Sequence, residues 1–414
     1  MLKQAIVSLR PCGMRCAPGS ATHRAARVCV VMGLLVVVMA GCGGTGDKVP
    51  DAVASDTAPM LAQSRHPIIE ATINGQPVRL LVDTGSNANL LSSAATQRLG
   101  LQPRGAPIQG DGAGGPMTLT PVLWGRLTIA GMDLGEQPAF ALDLPPELLA
   151  DGVLGAQALA PLSPRLDFSH RAVTFTRAEA FSPPQGATRL PLRLNNGIPL
   201  VEATVGGVTG WFEVDSGSSK AAVIHTPVVD ANGLRQQLAP VLRMATGGGV
   251  GGYTWGDIAR APRVTLGDQA LAGVITELSL QTTGALSRAY PAGQLGNEIW
   301  RRFIVTVDYA HAAIYLQATP ALNEPFAGPR AGFSPAVVAG RITVVQVVPG
   351  SPADLAGMTQ GDELLAVDGQ PLTMQTLDAL WSAMAAPPGT VLTFALRSPA
   401  GTRRDITLTL RELL

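Results

Sequence analysis

The sequence predicts a mainly β protein: two similar β lobes in tandem, then a smaller α+β module at the carboxyl end. Three observations predict it: a composition rich in turn formers, an internal repeat at one fixed offset, and a carboxyl-terminal run of consecutive strand, turn and helix signals. Of 414 residues, 46% are apolar and 14% charged, with 47 Gly and 33 Pro. Such a chain is globular and turn-rich rather than a coiled coil or a disordered polymer. On a prior of roughly 150 residues per domain, two or three domains are expected.

The amino terminus reads as an address. Residues 1–42 hold Lys3, Arg10, Arg15, Arg24 and Arg27 but no acidic residue. The apolar run from Val28 to Gly41 is too short to span a bilayer comfortably and suits a signal-peptide core. Met39-Ala40-Gly41-Cys42 resembles a bacterial lipobox, which implies a signal peptide over 1–41, lipidation of Cys42, and residence on the periplasmic side of a bacterial envelope. No Asp follows Cys42, so by resemblance the outer membrane is the expected destination. The competing readings are an ordinary signal peptide with an incidental cysteine, or an uncleaved anchor. Residues 43–65 lack apolar periodicity and are expected to be a flexible linker. Cys12, Cys16 and Cys29 all precede Cys42, so the body beyond it contains neither a disulfide nor a thiol nucleophile. Without residues 1–42 the chain has 25 basic and 30 acidic residues, a net of −5. That balance offers no footprint for nucleic acid.

At an offset of 132, the segment Pro67 to Ser86 lies over Pro199 to Ser218 with nine of twenty residues identical. One such period signals duplication of a unit too long for a solenoid repeat. Each copy reads as a β-hairpin whose second strand (Val78 to Val82; Trp211 to Val214) delivers an Asp at its end. Later landmarks repeat as well: Asp151-Gly152-Val153-Leu154-Gly155 against Ala292-Gly293-Gln294-Leu295-Gly296, then Asp167-Phe168 against Asp308-Tyr309, each followed by a β-rich end. Between these landmarks lie two Gly-rich loops, Gly110 to Gly115 and Gly247 to Gly252. Their tips, Gly112-Ala113-Gly114 and Gly249-Val250-Gly251, are expected to be mobile flaps.

The paired turns Asp83-Thr84-Gly85-Ser86 and Asp215-Ser216-Gly217-Ser218, with the apolar-Gly segments and Gly-rich flaps, resemble the retropepsin and pepsin clan of aspartic peptidases. The resemblance covers about residues 64–318. It implies two retropepsin-like β-barrel lobes, 66–180 and 187–318, forming a pepsin-like bilobal domain. It also implies Asp83 and Asp215 as a catalytic dyad sharing one proton, because two carboxylates a few Å apart cannot both ionise cheaply. By the same resemblance Thr84 and Ser216 cross-link the turns, Ser86 and Ser218 hold the outer carboxylate oxygens, and Gly85 and Gly217 permit the tight backbone. No Tyr lies between Asp83 and Asp151, so the first flap lacks the flap Tyr of pepsin-like enzymes. Tyr253 and Trp255 flank the second flap. His66, His170, His225 and His311 lack metal-ligand spacing, so no metal and no cofactor is expected.

After a connection over Thr319 to Pro329, the run from Ile342 to Gly369 closely resembles a bacterial PDZ domain, which implies a module over 328–414 with a small β-barrel and two helices. Ser351 reads as a helix cap, and Leu377, Leu380, Trp381 and Met384 form an apolar helical stripe. PDZ domains bind an extended peptide, often a free C-terminus, beside one sheet edge. The matching loop is Ala331-Gly332-Phe333, although Ser334 and Pro335 interrupt the strand pattern behind it. The sequence thus points to a monomeric, membrane-anchored aspartic endopeptidase acting on protein or peptide substrates. The alternative is a catalytically inactive peptide-binding or scaffold lipoprotein with the same modules.

Overall fold

Each copy of the repeat opens with a β-hairpin whose turn residues dictate its tightness. Ile68–Ile73 pairs antiparallel with Gln76–Val82 around Asn74-Gly75, and Ile198–Val205 with Val208–Val214 around Gly206-Gly207. All four turn residues have positive φ, which matches the right-handed twist of the flanking strands. The structure, a computed structural model, describes residues 53–62 and 64–414 and the backbone of the short strand Ala5–Ile6. The remainder of the signal segment, Cys42 and residues 43–52 lie outside the described residues.

In each lobe the second hairpin strand takes a parallel partner, Gly152–Leu154 in lobe 1 and Gly293–Leu295 in lobe 2. A Cβ at Gly152 would lie 2.3 Å from the Leu90 carbonyl oxygen, and one at Gly293 only 2.0 Å from that of Val223. Only glycine lets a third strand (Leu90–Ser92; Ala222–Ile224) approach so closely. Beyond it a long hairpin (Pro116–Ile129 with Met132–Leu142; Gly252–Leu266 with Gln269–Ser279) closes each barrel-like sheet.

The last strands of the two copies leave their own lobes and join in one antiparallel sheet. Its order is Ser55–Pro59, Ala172–Arg177, Leu162–Asp167, Phe303–Asp308, Ala313–Ala318, Thr188–Asn195, with Arg165 opposite Thr306 and Leu166 opposite Val305 at the centre. The buried side chains of this sheet (Leu166, Val173, Phe175, Val305, Val307) share one apolar core with Leu80 and Val82 of lobe 1 and Phe212 and Val214 of lobe 2. The lobes are therefore fixed to one another from below. The strand Ser55–Pro59 corrects the expected linker over 43–65: its residues register against Ala172 to Thr176, and Ala58 and Met60 are buried.

The carboxyl-terminal module carries a sheet ordered Phe333–Val338, Arg341–Val347, Glu363–Val367, Val391–Arg397, Arg403–Thr409, with helices Pro352–Leu355 and Leu377–Met384. Its core centres on Phe333 and Phe394, whose rings meet edge-on at 5.5 Å. Ser351 Oγ caps the first helix by accepting the Asp354 N–H. Of the predicted helical stripe only Leu380 is fully enclosed; Trp381 and Met384 turn toward lobe 2. The connection to lobe 2 is pinned by buried Arg302, which donates to the carbonyls of Glu298, Ala321 and Glu324 and lies 3.6 Å over the Phe326 ring.

Candidate active site

Asp83 and Asp215 stand at equivalent strand ends, held by equivalent bonds: the Asp83 N–H donates to Leu154 O at 3.0 Å and the Asp215 N–H to Leu295 O at 2.9 Å. Both are buried, 3% and 0% exposed. The turns that follow are locked together reciprocally. The Thr84 N–H donates to Ser216 Oγ at 2.9 Å, and the Ser216 N–H to Thr84 Oγ1 at 3.1 Å. Thr84 Oγ1 in turn donates to Val214 O, and Ser216 Oγ to Val82 O at 2.8 Å. Each hydroxyl thus satisfies a buried amide and a buried carbonyl of the opposite lobe, so neither turn can shift without leaving polar groups unpaired.

Asp83 receives backbone N–H groups from Gly85, at 2.9 Å to Oδ1, and from Gly217 of the other lobe. A Cβ on Gly217 would lie 2.5 Å from the Asp83 carboxyl carbon, so the cross-lobe approach requires glycine there. The expectation for the two serines is corrected in part. The single hydroxyl proton of Ser86 goes to Ala88 O, and it is the Ser86 N–H that reaches the Asp83 carboxyl group. Ser218 Oγ accepts the Lys220 N–H at 3.4 Å.

Burial pushes the Asp83 carboxyl up to about 6, against the three backbone donors that favour its ionised form. Asp215 has a different neighbour: Gln294 Nε2 donates to its Oδ2 at 2.6 Å. Gln294 occupies the place in lobe 2 that Val153 holds in lobe 1. Tyr309 is buried below the site, where desolvation, and after it the Asp83 charge, pushes its phenol well above the usual range. The ring of His66 hydrogen-bonds to the Gly217 backbone, and burial of that ring drives its pKa down to about 3. Sequence reasoning did not single out these three residues. The mismatch between Val153 and Gln294 was the available signal for one of them.

The two Gly-rich loops form hairpin tips that meet each other. The Gly114 N–H donates to Val250 O at 3.2 Å, and Cβ atoms at Gly112 or Gly114 would lie 2.0 and 2.2 Å from the opposite tip. Each tip buries a side chain in the other lobe. Val250 enters an apolar pocket of lobe 1 with Leu81, Ala88, Leu90 and Val153, and Ala113 packs on Val223 and Leu286 of lobe 2. Tyr253 and Trp255 point elsewhere; the Tyr253 hydroxyl donates to Val337 O of the carboxyl-terminal module at 2.8 Å.

Ala331, Gly332 and Phe333 are not brought to the carboxylates. They line a separate cavity of about 230 Å³, walled by Trp381 and Met384 on one side and by Lys220 to Ala222 and Met244 to Gly247 of lobe 2 on the other. Gly332 has φ +81, and a Cβ there would lie 2.1 Å from the Ser351 side chain. Two buried carboxylates held at matched strand ends are suited to general acid–base chemistry on a water molecule, without a covalent intermediate.

Comparison with known families gives two matches: residues 69–158 match the aspartyl protease family, and residues 343–398 match the PDZ domain. The first match runs from the opening hairpin through the helix Ala156–Leu159, and the second covers most of the carboxyl-terminal sheet. The chain therefore joins an aspartyl protease-like domain to a PDZ domain, the latter a peptide-binding module. A search of curated proteins gives no match.

Proposed function

We propose that this chain is an exported, lipid-anchored aspartic endopeptidase that works as a monomer. The observation that carries the reading is the reciprocal Thr84–Ser216 lock around two buried carboxylates from one chain. The two carboxylates share one proton: burial raises the proton affinity of Asp83, which serves as the acid, and Asp215, which accepts the Gln294 amide, serves as the base. A water between them gives its proton to Asp215 as its oxygen attacks the peptide carbon. Asp83 gives its proton to the carbonyl oxygen, forming a neutral gem-diol. Collapse of the diol returns a proton to Asp83, passes the Asp215 proton to the leaving nitrogen, and breaks the C–N bond. The PDZ domain recruits or positions the substrate, and the lipobox-like Cys42 anchors the chain to the envelope.

The test is cleavage of an unfolded protein mixture by residues 53–414, which keep the strand Ser55–Pro59. Cleavage is expected to stop in Asp83→Asn and in Asp215→Asn, and to decline in the native sequence as pH rises through about 6. Light scattering beside the assay should place the activity in the monomer. Absence of cutting at every pH, with peptide binding retained, would replace this reading by that of an inactive peptide-binding lipoprotein.

A further inference from the structure

Gly217 is the point at which lobe 2 touches the Asp83 carboxyl, and it has no side chain by which to be held. Its N–H donates to the Asp83 carboxyl group, and a Cβ on it would lie 2.5 Å from the carboxyl carbon. With a backbone this free, it is the weak member of an otherwise locked turn. Ser216 before it is bonded to Thr84 and Val82 of lobe 1, and Ser218 after it accepts the Lys220 N–H. One side chain grips Gly217 from the far side. The ring of His66 hydrogen-bonds to its backbone in a sense that favours the protonated ring, so a ring N–H donates and the Gly217 carbonyl accepts.

His66 stands just ahead of the repeated segment, and at the same offset of 132 lobe 2 carries Ile198. Ile198 is buried in an apolar cluster with Leu200 and Ala285. The two copies thus differ here, with an apolar side chain in one and a hydrogen-bonding ring in the other. The ring is placed at a cost, since its Nδ1 is enclosed and lacks a hydrogen-bond partner. Burial drives the ring's pKa down to about 3, with the Arg65 charge acting in the same direction. It therefore stays neutral where Asp83 titrates, near 6, and works as a fixed donor rather than a switch. The segment that carries it is anchored from outside, where the Arg65 N–H donates to Asp378 Oδ2 of the PDZ helix at 3.1 Å. The titratable groups around this pair, among the described residues, are Asp215 and Tyr309 on the side of Asp83, and Arg65, Glu147 and Asp378 on the side of His66.

Resting on the peptidase reading above, we propose that His66 is a positioning residue for the reaction: by holding the Gly217 carbonyl it keeps the Gly217 N–H on the Asp83 carboxyl and so fixes the orientation of the acid. Its effect passes through Gly217. Because that N–H favours the ionised carboxyl, loosening it raises the proton affinity of Asp83 further. A residue that only packs would change stability and leave the Asp83 titration where it is.

The experiment uses residues 53–414 with three substitutions. His66→Phe keeps a ring and removes the donor, His66→Ile copies lobe 2, and His66→Gln restores an N–H. Cleavage of one unfolded protein is followed from acidic to neutral pH. In His66→Phe and His66→Ile the alkaline fall of kcat/KM, near 6 in the native sequence, should move up by about half a pH unit, the size of one weakened hydrogen bond. Their kcat should drop about tenfold with KM nearly unchanged. His66→Gln should recover both. Urea denaturation of the same proteins across pH reads the Asp83 titration without any cutting: the fall in stability that ends near pH 6 in the native sequence should extend about half a pH unit higher in the Phe and Ile variants alone. If nothing is cut and this extension appears, the peptidase reading falls and the positioning role stands. If either apolar variant folds and keeps the native titration, or if His66→Gln is impaired as much as they are, His66 only fills space and the proposal is overturned.

Discussion

At the scale of single residues, the buried carboxyl of Asp83 couples function to stability. Its ordinary value is 3.8 and burial raises it to about 6, so between those pH values the folded chain holds a proton that the unfolded chain has lost. Stability from this group is thus fully present below about pH 4 and is lost as pH rises through 6. At 1.36 kcal/mol per pH unit the loss is about 3 kcal/mol. Asp83→Asn has no such proton, so the variant should gain about 2.4 kcal/mol on the native sequence between pH 4 and pH 7. Urea denaturation at the two pH values measures it, and a constant difference would refute the desolvated carboxyl. The residues that build this site were legible in unequal measure. The two Asp turns stand out because a duplication repeats them in register, and the expected hydroxyl and glycine roles follow from the family resemblance those turns carry. Gln294 was less so: its mismatch with Val153 is visible in the repeat, but it gains meaning only once the strand face that looks at Asp215 is known. Tyr309 and His66 reach the site only through tertiary folding, which leaves no local pattern.

At the scale of elements, the flaps show how far a Gly-rich loop can be read. Composition gives their place, and the backbone there adopts conformations that favour glycine, with positive φ at Gly115, Gly247, Gly251 and Gly252. What composition does not give is the exchange of side chains between tips, which depends on two hairpins meeting from different lobes. The strand Ser55–Pro59 was missed for a related reason: Ser-Asp-Thr-Ala-Pro has little strand propensity, and its order comes from pairing with an edge already built. The exchanged Val250 holds the closed lid through lobe 1. Val250→Ala removes buried methyl groups and should cost about 1–1.5 kcal/mol of the closed form, on the order of a tenfold rise in the open population. The Gly114 amide, which donates to Val250 O, should then exchange with solvent about ten times faster, with strands such as Gln76–Val82 unchanged. Equal exchange in both proteins would mean that the tips are held by backbone contacts alone.

At the scale of the whole molecule, the PDZ domain lies against the stem of the second flap, where its outermost strand faces lobe 2. The strand Phe333–Val338 is the outermost of its sheet, bulged between Ser334 and Pro335, so its free edge carries an irregular set of backbone groups. Lobe 2 meets that side of the domain with the strand Leu242–Gly249. The Gln346 amide brackets this strand, accepting the Ala245 N–H at 2.6 Å and donating to Arg243 O at 2.9 Å, while Ser334 Oγ donates to Ala245 O at 2.7 Å. Farther out, Tyr253 on the other arm of the flap bonds Val337, and the first turn of the PDZ helix holds the lobe 1 approach through Asp378 Oδ2 and the Arg65 N–H. These bonds tie both flap arms to the PDZ module, so a ligand entering beside Phe333 must compete with or rearrange them. Gln346→Ala with Ser334→Ala deletes three of the four bonds to the flap arms and leaves the PDZ core around Phe333, Phe394 and Leu380 intact. The double variant should therefore melt as the native protein does in the PDZ domain, yet show faster hydrogen exchange at residues 243–249 and, at saturating substrate, altered turnover. A peptide that binds the native PDZ groove should produce the same faster exchange, and the double variant should bind that peptide more tightly because the competing contacts are gone. If peptide binding leaves exchange at 243–249 unchanged, the groove and the flap are independent, and the bonds through Gln346 serve only to dock the two domains.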